Sequence, residues 1–122
     1  MARVHTVVLF VDIRSCTQWM TGVASVDILD EFLGTFYTML QEQFSAGSLK
    51  PLGDGAMLVV PCGSLPHTSA IEALFHQVLT SVAAVERQFV ALCHQIEIDT
   101  GHTTRLQLGW GLTRGIVHRF QQ

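Results

Sequence analysis

The sequence predicts a single α+β domain in which strands and helices alternate. An unbroken run of strand-forming apolar residues occupies positions 7–11. Two later segments repeat apolar residues every three or four positions, as amphipathic helices do. The chain has 122 residues, enough for one domain with a core of its own, and no repeat or linker divides it. We therefore expect residues 1–122 to form one domain.

The first half predicts a strand, a helix and a hairpin. Val4 to Asp12 reads as a strand, and its continuous apolar run is typical of a strand buried on both faces. Ser25 is a good N-cap for the following helix, which Gly47 ends. The apolar positions of that helix are Ile28, Leu29, Phe32, Leu33, Phe36, Tyr37, Leu40 and Phe44. A Gly-Asp-Gly sequence at 53–55 lies between two apolar arms and predicts a hairpin over Leu49 to Cys62.

The second half predicts a long helix and a further strand pair. Ser69 and Glu72 have the spacing of a capping box, and Gly101 is a plausible end of the helix. Residues 104–112 and 115–120 are predicted as two strands with a turn at 113–115. Without the last strand the order is β-α-β-β-α-β, which is ferredoxin-like. This order predicts an antiparallel sheet with helices on one face, and the first strand next to the hairpin in mid-sheet.

Composition and charge narrow the range of possible functions and partners. Hydrophobic residues make up 48% of the chain, charged residues only 14%, and mean hydropathy is +0.36. A domain this small cannot bury so much apolar material, so we expect a face that contacts a second copy in a homodimer. The net charge of −3, with seven Lys and Arg, gives no basic field for nucleic acid.

Cysteine usage and hydropathy predict the compartment. The three cysteines lack a CxxC pair, which predicts reduced thiols and neither a disulfide framework nor a zinc site. No apolar run approaches the roughly 18 residues of a membrane span, and the first residues lack signal-peptide anatomy. We expect a soluble cytoplasmic domain without membrane contact.

One acidic residue, Asp12, ends the first apolar run. By itself it fits a helix cap as well as a functional role. The predicted topology, however, brings it beside Asp54 in the hairpin turn, because adjacent strands lie about 4.8 Å apart. Two carboxylates that close repel each other unless a cation lies between them, and Mg²⁺ or Mn²⁺ ions take such ligands. Two ions can activate an attacking oxygen and stabilise a leaving phosphate, so the pair predicts a two-metal site.

Three motifs together resemble those of one family. Residues 10–17, FVDIRSCT, resemble the metal-binding opening of class III adenylyl and guanylyl cyclases, Phe-x-Asp-Ile-x-Gly-Phe-Thr. Residues 50–57, KPLGDGAM, are similar to that family's central hairpin, Lys-x-x-Gly-Asp followed by small residues and Met. Residues 111–117, GLTRGIV, are similar to its later Gly-Ile-His-x-Gly-x-Val hairpin. The motifs occur in the family's order and span nearly the whole chain.

The resemblance implies a homodimer that converts ATP to 3′,5′-cyclic AMP and pyrophosphate at two interface sites. It assigns two Mg²⁺ or Mn²⁺ ions per site to Asp12, Asp54 and the Ile13 carbonyl. It assigns the triphosphate to the backbone amides of Ser15, Cys16 and Thr17.

The resemblance also implies a choice of base. Lys50 stands where the family's adenylyl cyclases carry a base-reading lysine and its guanylyl cyclases a glutamate. An ammonium can donate to adenine N1, whereas guanine offers donors to an acidic residue, so ATP is favoured over GTP. In the dimer Lys50 is expected to serve the metal site of the other chain.

Departures from the family pattern lower the expected activity. Ser15 replaces a glycine and Cys16 a phenylalanine. The sequence ends at Gln122, before the Asp, Asn and Arg that follow in the family. Loss of a transition-state arginine costs about 10³-fold or more, so we expect little turnover from residues 1–122.

Two alternatives stay open. One is a degenerate cyclase-like module used for dimerisation or regulation. The other is a different palm-like enzyme with paired carboxylates. The lack of a Gly-Gly-[Asp/Glu]-Glu-Phe motif argues against a diguanylate cyclase, and the low basic charge argues against a template-using polymerase.

Overall fold

The computed structural model describes residues 2–22, 26–63 and 68–119. Its elements in chain order are β1 (Ala2–Arg14), α1 (Cys16–Gly22), α2 (Val26–Gln43), β2 (Ser48–Pro51), β3 (Gly55–Gly63), α3 (Thr68–Thr100) and β4 (Gln107–Arg119). With α1 and α2 together in place of the first predicted helix, this is the expected β-α-β-β-α-β order. Ser25, the expected N-cap, lies outside the described residues.

The four strands form one antiparallel sheet in the order β2-β3-β1-β4. The first strand and the hairpin arm β3 are therefore neighbours in mid-sheet, as predicted. Phe10 pairs with Met57, and Asp12 pairs with Gly55. β2 lies at the edge of the sheet, where a proline such as Pro51 is tolerated because one side of the strand needs no partner.

The turn predicted at residues 113–115 is wrong. β4 is one continuous strand that pairs with β1 along its whole length, from Arg14 opposite Gln107 to Ala2 opposite Arg119. The physical reason is the length of β1, which is 13 residues and offers a partner to every residue of β4. A lone glycine at 115 does not turn a strand that still has a partner.

Two helices cover one face of the sheet. The odd-numbered residues of β1 between 7 and 13 are buried against α2 and α3, since side chains of a strand alternate between faces. Three rings join the helices edge to face: Phe89 lies 6.1 Å from Phe32 and 5.8 Å from Phe36 between ring centroids. The prediction that β1 is buried on both faces is therefore wrong, because Phe10 and Asp12 on its other side are exposed.

The long helix ends as expected. α3 stops at Thr100, and the Gly101 amide donates to the Glu97 carbonyl at 2.8 Å with Gly101 at φ 73°. α2, by contrast, ends at Gln43, four residues before the predicted stop at Gly47, and the chain continues as a turn. Among the described helices none combines the length and the apolar character needed to cross a lipid bilayer.

Candidate functional site

The two aspartates of the predicted metal pair lie at the same end of the two central strands. Asp12 projects from the uncovered face of β1, opposite Gly55 on β3 and Gly109 on β4. Asp54 immediately precedes β3, and its carbonyl accepts a hydrogen bond of 2.9 Å from the Ile13 amide. Both aspartates border one open cavity of about 320 Å³. The fold thus brings together the carboxylates that the sequence separates by 42 positions.

Gly55 allows the strands to approach closely beside this pair. A Cβ atom at residue 55 would overlap the Val11 carbonyl oxygen and lie 3.2 Å from the Asp12 Cα atom. Because the obstacle is backbone, a side chain here could be accommodated only by moving β3 away from β1. The glycine after Asp54 therefore sets how near the two aspartates lie.

A tyrosine on α2 holds the turn that carries Asp54. The Tyr37 hydroxyl donates to the Gly53 carbonyl and lies 3.2 Å from the Gly55 carbonyl, so it contacts the backbone on both sides of Asp54. The Leu52 amide closes the same turn on the Gly55 carbonyl at 2.8 Å, with Gly53 at φ 76°.

The sequence periodicity places Tyr37 only among the apolar positions of the helix. The available signal was its hydroxyl, because a tyrosine on a packed helix face needs a polar partner.

The charge of Asp54 acts on its neighbours. Burial raises the pKa of the Cys16 thiol above its usual value, and the negative charge of Asp54 raises it further. The pKa of Tyr37 is raised by the same two causes, burial first, with a further contribution from Cys16. A cation beside Asp54 would offset this negative charge.

The residues expected to hold the triphosphate lie at the start of α1. Ser15 has a φ of 67°, in the left-handed region that favours glycine. The Cys16 side chain is buried in the core, so only its backbone can face a ligand. Thr17 lies within α1, and its side chain is outside the described residues.

Lys50 stands apart from the aspartates within one chain. It is exposed on the edge strand β2 and pairs with Met57, which in turn pairs with Phe10. Residues paired in this way share one face of the sheet, so Lys50 lies on the same uncovered face as Asp12. It does not border the cavity of the two aspartates.

The donor set suits a hard cation. Within residues 2–22, 26–63 and 68–119 no group of three or more His, Cys, Asp or Glu side chains could hold a metal. The site therefore offers two carboxylates and nearby backbone carbonyls, with room for water and phosphate oxygens. Mg²⁺ is commonly held in this way, by one or two carboxylates and the phosphates of a substrate. The residues present fit an ion that takes its remaining ligands from water or phosphate oxygens.

Comparison with known proteins was informative only at the level of structure. No protein-family description matches the chain, and no curated sequence matches it. The crystal structure of the adenylyl cyclase CyaB from P. aeruginosa superposes with a TM-score of 0.72 over 93% of this chain, at 20% identity. A bacterial light-regulated adenylyl cyclase gives a TM-score of 0.70 over 97% of the chain, at 18% identity.

The guanylyl cyclase Cya2 is also similar, with a TM-score of 0.65 over 98% of the chain at 14% identity. The chain spans 57% to 59% of the length of these three proteins. At such identities the likeness concerns the fold. The chain has the four-stranded antiparallel α+β fold found in these adenylyl and guanylyl cyclases.

Proposed function

We propose that this chain is a cyclase-type domain that binds ATP together with two Mg²⁺ or Mn²⁺ ions. Asp12, Asp54 and the Ile13 carbonyl are the proposed metal ligands. The observation that carries the proposal is the cavity on the uncovered face, which both aspartates border. The fold shared with adenylyl and guanylyl cyclases supports it.

The reaction of this class joins the ribose 3′ oxygen to the α-phosphorus and releases pyrophosphate. When bound, the two metal ions make the 3′-hydroxyl more acidic and stabilise charge on the phosphates. The aspartates bind as carboxylates, and Tyr37 keeps the Asp54 turn in place. The backbone amides of Ser15, Cys16 and Thr17 are the proposed donors to the triphosphate.

We further propose that two copies associate through their uncovered faces. Phe10, on this face, is 47% exposed in the single chain. Lys50 lies on the same face but away from the aspartates of its own chain, so a second copy is the simplest way for it to reach a bound base. As a donor only, Lys50 favours adenine over guanine in this role.

Binding is the property to measure first. Calorimetric titration of the purified chain with a non-hydrolysable ATP analogue in Mn²⁺ tests the proposal directly. Asp54→Asn removes a proposed ligand, and Asp30→Asn is the matched control, because Asp30 is exposed on α2 and does not border the cavity. A GTP analogue tests the choice of base, and circular dichroism establishes that each variant is folded.

The expected result is binding that Asp54→Asn abolishes and Asp30→Asn retains, with the adenine analogue preferred. Absence of binding at millimolar analogue by a folded wild-type chain would overturn the proposal. The cyclase-like fold would then serve dimerisation or regulation alone.

A further inference from the structure

Arg14 lies in the same cavity as the two aspartates. It follows Asp12 by two residues on β1, so both side chains project from the uncovered face. Gly109 on β4 is directly opposite Asp12, and Gln107 is opposite Arg14. Among the described residues that border this cavity, Arg14 is the one cation.

Gly109 makes room for the guanidinium. A Cβ atom at residue 109 would lie 2.6 Å from Arg14 Nε and 2.9 Å from Arg14 Nη2, and it would overlap Asp12 Oδ1. The Arg14 side chain therefore runs diagonally across the strand pair and lies over Gly109, next to the Asp12 carboxylate. Gly109 is buried beneath these two side chains although it lies on the otherwise uncovered face.

We propose that Arg14 binds the triphosphate of the metal-bound nucleotide. This inference rests on the proposed function, because it needs metal ions at Asp12 and Asp54. The planar guanidinium matches two phosphate oxygens with parallel hydrogen bonds, which a lysine cannot do. Arg14 is exposed, so its N–H donors can reach a ligand in the cavity and the core does not have to open.

The position predicts opposite effects on two ligands. The positive charge of Arg14 beside Asp12 repels a metal ion that binds alone. The same charge attracts a phosphate that is bound to the metal ion. Removing the charge should therefore leave the affinity for bare Mn²⁺ unchanged or higher, and should lower the affinity for triphosphate in the presence of Mn²⁺. If Arg14 only supported the fold, its substitution would lower both of these affinities or neither of them.

Inorganic tripolyphosphate is a suitable probe because it carries the phosphates without a base. Mn²⁺ alone and tripolyphosphate with saturating Mn²⁺ are titrated calorimetrically into the wild type, Arg14→Met, Arg14→Lys and Arg87→Met. Arg87 is exposed on α3 and serves as the matched control. We expect Arg14→Met to lower tripolyphosphate affinity about 10- to 100-fold, the value of a hydrogen bond to a charged group. The tripolyphosphate affinity of Arg14→Lys should lie between those of the wild type and Arg14→Met. The affinity of Arg87→Met should equal that of the wild type.

The failures of the two proposals are distinguishable. If the wild type binds Mn²⁺ and Arg14→Met binds tripolyphosphate as tightly as the wild type, the inference is overturned and the metal site stands. If the folded wild type binds neither Mn²⁺ alone nor tripolyphosphate with Mn²⁺, both are overturned. Should Arg14→Met fail to fold, Arg14→Lys carries the test, because an unchanged affinity in that variant contradicts the need for a guanidinium.

Discussion

The two faces of the sheet are built from alternate residues of the same strand, yet they have different roles. On β1, Leu9 and Val11 are almost fully buried beneath α2 and α3, whereas Phe10 and Asp12, which alternate with them, are exposed. The covered face is stabilised by apolar contacts. The uncovered face brings two carboxylates and one guanidinium to a single cavity.

This difference indicates how the molecule separates stability from the proposed function. Loss of volume on the covered face is costly, because interiors are packed as densely as organic crystals. Among the described residues no helix packs on the uncovered face, so this face can present charged groups without burying them. Substitutions on adjacent residues of β1 should therefore affect different properties.

The largest contrast is expected between Leu9→Ala and Phe10→Ala. Leu9 is 1% exposed in the core, and its truncation should lower the free energy of unfolding by about 2–5 kcal/mol. Phe10 is half-exposed, and its truncation should cost less than about 1 kcal/mol in the dilute chain. Urea unfolding monitored by circular dichroism measures both.

The same pair of variants tests self-association. If copies meet through the uncovered face, Phe10→Ala should shift the monomer–dimer equilibrium toward monomer in sedimentation experiments. Equal losses of unfolding free energy for Phe10→Ala and Leu9→Ala at low protein concentration would contradict the division between the faces.

A smaller effect is expected at two glycines with the same backbone conformation. Gly53 and Gly101 have φ values of 76° and 73°, and a Cβ atom would meet no neighbour at either. Alanine at each should cost about 1–2 kcal/mol of unfolding free energy, because the left-handed conformation disfavours a side chain. Gly53 precedes Asp54, whereas Gly101 ends α3.

The two glycine variants should differ in metal binding. Gly53→Ala should weaken Mn²⁺ binding because it disturbs the turn that positions Asp54, and Gly101→Ala should leave it at the wild-type value. Calorimetry with Mn²⁺ measures the difference. Equal weakening in both variants would show that a loss of stability, and not the turn, accounts for the effect.

The sequence predicted what depends on local pattern and on motif order. The strand at β1, the long helix ending at Gly101 and the hairpin around Asp54 follow from periodicity and turn residues. The order of these elements then sufficed to place Asp12 next to the Asp54 turn. The division of β1 into two faces was hidden, because Val8 and Phe10 are as apolar as their buried neighbours.

Features that depend on strand register could not be predicted. Arg14 reaches Gly109 because β4 pairs with β1 in the register that sets Gln107 opposite Arg14 and Gly109 opposite Asp12, and no local pattern specifies that register. Tyr37 contacts a turn 16 to 18 residues away, and no local pattern specifies which helix position faces that turn. These contacts follow from the way in which helices and strands pack, and sequence spacing alone does not specify that packing.

A smaller change in stability than at the two glycines is expected at Tyr37, whose hydroxyl connects the helix layer with the Asp54 turn. Tyr37→Phe removes the bonds to the Gly53 and Gly55 carbonyls and should cost about 0.5–1.5 kcal/mol of unfolding free energy. Thr38→Val is the matched control, because the Thr38 hydroxyl donates only within α2, to the Gly34 carbonyl at 2.9 Å. Tyr37→Phe should also weaken Mn²⁺ binding, whereas Thr38→Val should not.

The pH dependence gives a second test of the same hydroxyl. Burial and the charge of Asp54 raise the pKa of Tyr37 above 10, so the folded chain holds this proton more tightly than the unfolded chain does. The stability that the hydroxyl contributes is fully present below pH 10 and is lost as the pH rises through the raised pKa. Tyr37→Phe lacks this titration, so the difference in unfolding free energy between it and the wild type should shrink above pH 10. A difference that stays constant through that range would contradict both the raised pKa of Tyr37 and the donation from its hydroxyl to the turn.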